Sequence, residues 1–356
     1  MFQRLRSPLE RLYPGYFACV MATGIVSAAL RLTHHPQSSD VMLYLGLLLY
    51  GLFVIAYLLR CLWFWQQVKR DLTCAMEVFG FFTFVAASNV IANDLAVRGH
   101  TVLAVTLNVA ACITWIGLMY HVMIFLIFHH RQPVEKAIHG GWLLAVVGIE
   151  SVAVVGTALV NLPSGSRAAW ELVSLAAWGF GALLYFILIT LICYRLFFRA
   201  ATPADIRPPY WINMGATAIA TLAGARLALL AHPSDFLVAA RPFVQSVTFL
   251  LWAWSTWWIP LLILMGLWKH VVFREPIRYQ PALWGMVFPI GMYTAATATM
   301  SRIPGLELLE AIVPWGLAAA ILAWTLVAFG WLVSCLRSGV PQRLSPPADS
   351  GRSHGR

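Results

Sequence analysis

Ten apolar runs succeed one another along almost the whole chain, near residues 14–31, 42–65, 76–97, 102–128, 141–161, 169–194, 211–231, 243–268, 282–301 and 308–335. A hydrocarbon layer of roughly 30 Å takes ~20 apolar residues in a helix. Inside it every backbone N–H and C=O must be satisfied within the protein, which leaves helices as the form for such runs. The runs therefore predict an all-α integral membrane protein of ten transmembrane helices. The joins carry turn chemistry: Pro36, Pro133, the Leu-Pro-Ser-Gly at 162–165, Pro203, Pro208 and Pro209, Pro233, Pro276, Pro281, and Pro304 with Gly305. Only 11% of the 356 residues are charged and 60% are hydrophobic, against about a quarter charged in a soluble domain. Ten spans with short joins use up the length and leave no room for a soluble domain beside them.

Charge then tests the count. Alternate joins hold Arg4, Arg6 and Arg11; Lys69 and Arg70; Arg131 and Lys136; Arg195, Arg199 and Arg207; Lys269, Arg274 and Arg278; and Arg337, Arg343, Arg352 and Arg356, which is 17 of the 24 basic residues. The intervening joins hold one each: Arg31, Arg98, Arg167, Arg241 and Arg302. By the positive-inside rule the rich joins and both chain ends lie in the cytoplasm. The expected location is the cytoplasmic (inner) membrane, and the net charge of +10 reflects topology, not nucleic acid. The division expected is a cytoplasmic segment 1–13, a membrane domain 14–337, and a Pro/Gly/Ser-rich tail 338–356 too polar to fold. The first run lacks a plausible cleavage site and is kept as the first helix. The six scattered cysteines lack any paired spacing and read as reduced apolar filler.

The spans are unequal. The second, sixth and tenth are mostly Leu, Ala, Phe and Trp, whereas polar and small residues gather on odd-numbered spans. The seventh aligns Asn213, Thr217, Thr221 and Gly224 on one face; the fifth aligns Glu150, Thr157 and Asn161. The third carries Glu77, Gly80, Ser88, Asn89 and Asp94, and the ninth Gly285, Pro289, Gly291, Thr294, Thr297 and Thr299. Polar residues in a span face protein or a wet cavity, so odd helices inside and even helices outside is the simplest arrangement. Dry helix-to-helix packing explains small and hydroxylated residues equally simply.

Glu150 stands near the middle of its span, where a charge costs roughly 2.5–3.5 kcal/mol. It reads either as a proton-coupling residue of a pathway or as a structural carboxyl with a hydrogen-bonding partner. Arg226 lies past the middle of the seventh span on another face, either paired structurally or attracting anions. His121, His129, His130 and His139 form one loose cluster without the further boxes a di-iron site needs, so no metal and no cofactor are expected. Pro289 inside the ninth span removes a backbone donor. Phe288 before it shares a face with Met292, Ala295 and Thr299, where a ring either packs or plugs a pore.

Six strings together resemble the tellurite-resistance/dicarboxylate-transporter family, whose relatives include the plant slow anion channel and the yeast malic-acid permease. They are Pro14 to Ser27 (PGYFACVMATGIVS), Phe79 to Asn89 (FGFFTFVAASN), Gly141 to Val147 (GWLLAVV), Pro208 to Gly215 (PPYWINMG), Trp257 to Pro260 (WWIP) and Trp284 to Thr294 (WGMVFPIGMYT). The resemblance implies five helical hairpins, with odd helices around a central pore and even helices outside, assembled as a homotrimer. It also implies a pore closed by a phenylalanine on the ninth helix, a position that Phe288 with Pro289 matches. Candidate pore-lining residues are Phe17, Met21, Gly24, Asn89, Glu150, Thr157, Asn213, Thr217, Thr221 and Met292.

No nucleotide-binding loop and no catalytic constellation occur in the sequence, so an enzyme is not expected. The leading expectation is a channel or secondary transporter for small anions, with the bilayer and a small anion as its partners. The alternative is a proton-coupled exporter of a dicarboxylate or sulfite that uses Glu150.

Overall fold

The computed structural model describes residues 8–129, 133, 137–160 and 167–338. Arg4, Arg6, His130, Arg131, Lys136, Asn161, the join 162–165 and the tail beyond Ser338 lie outside the described residues. Ten long helices cover the ten apolar runs. They are α1 (Ala18–Leu32), α2 (Pro36–Trp63), α3 (Phe82–Val97), α4 (Thr101–Ile124), α5 (Leu144–Leu159), α6 (Arg167–Phe198), α7 (Ile212–Ala228), α8 (Asp235–Leu267), α9 (Trp284–Met300) and α10 (Val313–Ser338). Eight of them, with their short extensions, are long and apolar enough to cross a membrane. The other two, α7 and α9, have 17 residues each as α-helix. No strand occurs among the described residues. The chain is a multi-pass all-α membrane protein.

The second helix begins earlier than its apolar run, because Pro36 fits a first helical turn, where no N–H is needed. It stops at Trp63, where a short helix, Trp65–Leu72, turns away. There the buried Arg60 meets Asp71 at 2.6 Å. The eighth helix also starts early, at Asp235, since the Ser234 side chain accepts from the Leu237 N–H. Glu171 at the start of α6 in turn accepts from the Ser234 N–H and hydroxyl.

Odd helices pack into a closed ring in the order α1, α3, α5, α7, α9 and back to α1. Each even helix stands behind the odd helix that precedes it and leans on the next odd helix round the ring. Burial follows this division. The most apolar stretches of α1, α3 and α5 are 83–94% buried, and those of the even helices 17–44%. The exposed faces of the even helices are apolar, as with Leu52 and Ile55 on α2 or Leu322 and Leu326 on α10, which suits contact with lipid.

Every inner helix opens with one 3₁₀ turn: Pro14–Phe17, Val78–Phe81, Gly140–Leu143, Pro208–Trp211 and Pro281–Leu283. The five turns touch in the same cyclic order as their helices, making a collar at one end of the ring. Two glycines allow this approach. A Cβ on Gly80 would lie 3.0 Å from the Gly15 nitrogen, and one on Gly140 would lie 2.8 Å from the Tyr210 Cα. These contacts are to backbone, which cannot swing aside.

A second device joins the outer helices to the ring. Tyr50 on α2 bonds Ser88 on α3 at 2.8 Å, and Trp115 on α4 donates to the Ala145 carbonyl on α5 at 2.8 Å. Trp178 on α6 donates to the Ala220 carbonyl on α7 at 3.1 Å. Trp252 on α8 donates to Thr297 on α9 at 3.0 Å, and Trp324 on α10 donates to Thr23 on α1 at 3.1 Å. Each clamp runs from the outer helix of one pair to the inner helix of the next. Ser88, Thr297 and Thr23 can accept because each spends its own proton on the carbonyl four residues back.

His139 ends the loop before the third turn of the collar. Its Nδ1 accepts from the Gly141 N–H at 3.1 Å, which fixes the neutral tautomer with the proton on Nε2. Burial, with Arg207 and Arg195 adding, holds its pKa down at about 3 against a weak pull from the Ala75 backbone.

Three outcomes are expected in detergent-solubilised protein. Gly140→Ala overpacks the collar and lowers thermal stability by about 1–3 kcal/mol. Trp178→Phe and Trp324→Phe each cost about 0.5–1.5 kcal/mol, and their effects add because the clamps lie on different seams. His139 takes up a proton more readily unfolded than folded, so its contribution is complete above about pH 6.5 and is lost as pH falls from there toward 3. Melting temperature measured across that window should fall, and His139→Asn, which keeps an acceptor for Gly141, should flatten the fall.

Candidate functional site

All five inner helices contribute to one cavity on the ring axis. Its wall takes Ile25 and Ala28 from α1, Asn89 and Asn93 from α3, and Ser151 and Val154 from α5. The remainder comes from Leu32 of α1, Val90 of α3, Ile219, Leu222 and Arg226 of α7, and Met292 and Ala295 of α9. Its volume is about 20 Å³, room for a single water-sized particle. It lies in the half of the ring away from the collar, since Arg226 stands two residues from the last residue of α7.

Polar groups occupy two levels. At the lower one Asn89 donates to Ser151 at 2.9 Å and accepts from Asn108 of α4 at 3.0 Å, and Ser151 donates to the Gly148 carbonyl at 2.6 Å. At the upper one Arg226 Nη1 donates to Asn93 Oδ1 at 2.6 Å and to the Val154 carbonyl at 3.2 Å. Among the described residues no carboxylate comes within 4 Å of Arg226. The nearby acids are engaged elsewhere: Arg98 sits 2.8 Å from Asp40 and 3.9 Å from Asp94. Asp94 attracts Arg226 at longer range, as it does Arg98 and Arg31, so a cation held in contact with no acid lines the cavity and makes it attractive to negative charge.

One helical turn nearer the collar the residues on the same helix faces are apolar. Stepping back four residues from Ile25, Val90, Ser151, Ile219 and Met292 gives Met21, Ala86, Val147, Gly215 and Phe288. All five are buried. Phe288 shares its face with Met292 and Ala295, and α9 runs through Pro289 without interruption. Gly215 lets α7 approach at this level, since a Cβ there would lie 2.7 Å from the Pro289 ring.

Of the residues singled out from sequence, Asn89, Arg226 and Met292 meet at the cavity, and Phe288 and Met21 lie in the layer beneath it. The other candidates are not among the residues that line this cavity. Phe17 packs among Tyr50, Phe53, Tyr57 and Phe84, and Gly24 faces Val90 of α3. Glu150 lies against Gly181 of α6, fully buried, with neither carboxyl oxygen hydrogen-bonded among the described residues. Thr157 donates to the Val154 carbonyl. On the α7 stripe Gly224 abuts Trp178 and Thr248, the backbone carbonyl of Asn213 receives the Tyr185 hydroxyl, its side-chain amide has no hydrogen-bond partner among the described residues, and Thr217 and Thr221 donate back to their own helix.

Asn93, Ser151 and Asn108 were not anticipated. Asn93 follows Asn89 by four residues, a helical repeat that could have found it. Ser151 and Asn108 carry no signal beyond being polar in an apolar run. His121, from the histidine cluster, bonds the Leu72 carbonyl at 3.0 Å.

Comparison with known proteins agrees with this architecture. A membrane protein of Mycobacterium tuberculosis, of uncharacterized role, is 37% identical over 143 residues, covering 40% of this chain and 72% of that protein. Two uncharacterized transporters of Methanocaldococcus jannaschii are each 24% identical over nearly the full length. One alignment covers 93% of both chains, the other 94% of this chain and 96% of the relative. The sequence profile described as voltage-dependent anion channel matches residues 11–332, essentially the whole membrane part, and the chain belongs to that family.

Proposed function

We propose that the protein conducts small anions passively along the axis of the inner ring, with Phe288 as the gate. The observation that supports this reading is the order of features along the inner helices: Arg226, with no carboxylate in contact, at a polar cavity, and one turn nearer the collar a set of buried apolar residues that includes Phe288. A narrow apolar layer stops ions because they must shed water to pass it, and a single aromatic rotamer is the simplest element to move. The reading includes ten membrane crossings in five hairpins, both ends in the cytoplasm, an inner-membrane location, and a homotrimer with one pathway per subunit. The 17 basic residues on alternate joins support the orientation. The collar then faces the cytoplasm, and the positive ends of five helix dipoles face the inner mouth.

A second reading, proton-coupled export of a dicarboxylate or sulfite, draws support from Glu150, whose buried carboxyl has no hydrogen-bond partner. Its position against Gly181, off the axis, favours the passive reading, because a carrier residue there would have to act through α6.

In liposomes, Phe288→Ala should raise chloride or nitrate flux by about tenfold or more, equivalent to ~1.4 kcal/mol off the barrier. Flux unchanged from the parent across several anions would remove Phe288 as the gate. Flux should follow voltage and survive Glu150→Gln; uptake driven by an imposed pH gradient and lost in Glu150→Gln would instead establish coupling.

A further inference from the structure

We propose that Arg226 and Asn93 together form a binding site for one small monovalent anion, of the halide, nitrate or thiocyanate class, at the outer end of the axial cavity. The inference deepens the reading of the ring axis as an anion pathway and rests on it.

Hydrogen-bond accounting assigns the donors. Guanidinium has no acceptor, so the bond from Arg226 Nη1 obliges Asn93 to present its oxygen, at 2.6 Å. The Asn93 NH₂ is thereby turned to the other side. The remaining Arg226 bond, to the Val154 carbonyl at 3.2 Å, also uses Nη1. That leaves the Arg226 Nε and Nη2 hydrogens and the Asn93 Nδ2 hydrogens without a protein acceptor among the described residues, on two side chains that both line the cavity. Asn93 is 6% exposed. These donors, on adjoining side chains at one level of the cavity, suit an anion.

Charge sets the class. Asp40 and Asp94 are shared among Arg98, Arg31 and, at longer range, Arg226, and three arginines against two acids leave one positive charge, with Arg226 the member that lines the cavity. One cation matches one negative charge; no second basic side chain lines the cavity to neutralise another. The remaining wall, Ile25, Leu222 and Met292 among it, offers no replacement for a full hydration shell, which favours ions that lose water easily.

The test is a thermal-shift titration of purified protein with bromide and with thiocyanate at constant ionic strength, gluconate as the balancing ion and succinate as the competitor. Saturable stabilisation by bromide and thiocyanate is expected, with succinate inert. Arg226→Gln should weaken the apparent affinity at least tenfold and Asn93→Ala about threefold, on the scale where tenfold is 1.4 kcal/mol. Should Arg226→Gln fail to give monodisperse protein, Arg226→Lys, which keeps the charge but loses the fork, carries the comparison, with weakening of threefold or more expected. Affinities within twofold of the parent in these variants, or succinate binding as well as bromide, would overturn the site. Flux through Phe288→Ala liposomes separates the two ideas. Arg226-dependent binding without flux leaves the site standing and rejects the pathway, whereas flux with Arg226-independent binding rejects the site alone.

Discussion

Five aromatic donors, one on each outer helix, hold the inner ring closed, and the rest of the structure follows from where they land. Lipid tails are as apolar as leucine, so helices in a bilayer gain little from hiding apolar surface against each other. Close packing and hydrogen bonds must hold them together instead. Tyr50, Trp115, Trp178, Trp252 and Trp324 each reach the inner helix of the following pair. The last of them ties α10 back to α1 and so joins the end of the chain to its beginning. At about 1 kcal/mol apiece the five sum to roughly 5 kcal/mol, comparable to the whole net stability of a typical domain. A donor left without its acceptor in hydrocarbon would cost more than the bond contributes, which makes the clamps selective as well as stabilising.

These bonds dispose of polar groups that would otherwise face the axis. Thr23, Ser88 and Thr297 look inward-facing in sequence because they sit on buried helices, yet their hydroxyls lie between inner and outer helix. The α7 stripe is divided, since Thr217 and Thr221 spend their protons on their own helix and the Asn213 side-chain amide has no hydrogen-bond partner among the described residues. Gly224 makes room for Trp178 and Thr248, and the Asn213 carbonyl receives the Tyr185 hydroxyl. What remains for the axis is a narrower set: Asn89, Asn93, Ser151 and Arg226 above, and Met21, Ala86, Val147, Gly215 and Phe288 below. The division into a polar upper level and a dry lower one is a by-product of spending hydroxyls on the ring's outer seams.

This explains what could be read from the sequence. Helix positions were legible because apolar length and turn residues report directly on the bilayer; all ten runs coincide with helices to within a few residues, apart from the early starts of α2 and α8. The inequality of odd and even helices was legible too, since lipid-facing surfaces tolerate few polar groups. Which face of an inner helix meets the axis was not. An inner helix is buried all round, so its polar residues mark burial without marking direction, and Thr217 and Asn89 look alike in sequence. Direction is set by partners hundreds of residues away, as when Trp324 claims Thr23. Glu150 is the sharpest case: conspicuous by charge, yet turned to Gly181 of an outer helix.

On the proposed reading the axis serves passage more than capture. A monovalent anion about 4 Å from Arg226 gains roughly 4 kcal/mol at an effective dielectric constant near 20. Stripping its water costs several kcal/mol. The two nearly cancel, which is what a conducting site requires: attractive enough to admit an ion, weak enough to release it. A dianion would gain about twice as much from one arginine but pay a desolvation cost that grows with the square of its charge, and the cavity has no second cation to make up the difference. The same arithmetic makes the dry layer decisive. Between the cavity and the collar an ion at the level of Phe288 meets neither charge nor hydrogen-bond donor, so the barrier there depends on how much width the phenyl ring leaves for water to accompany the ion.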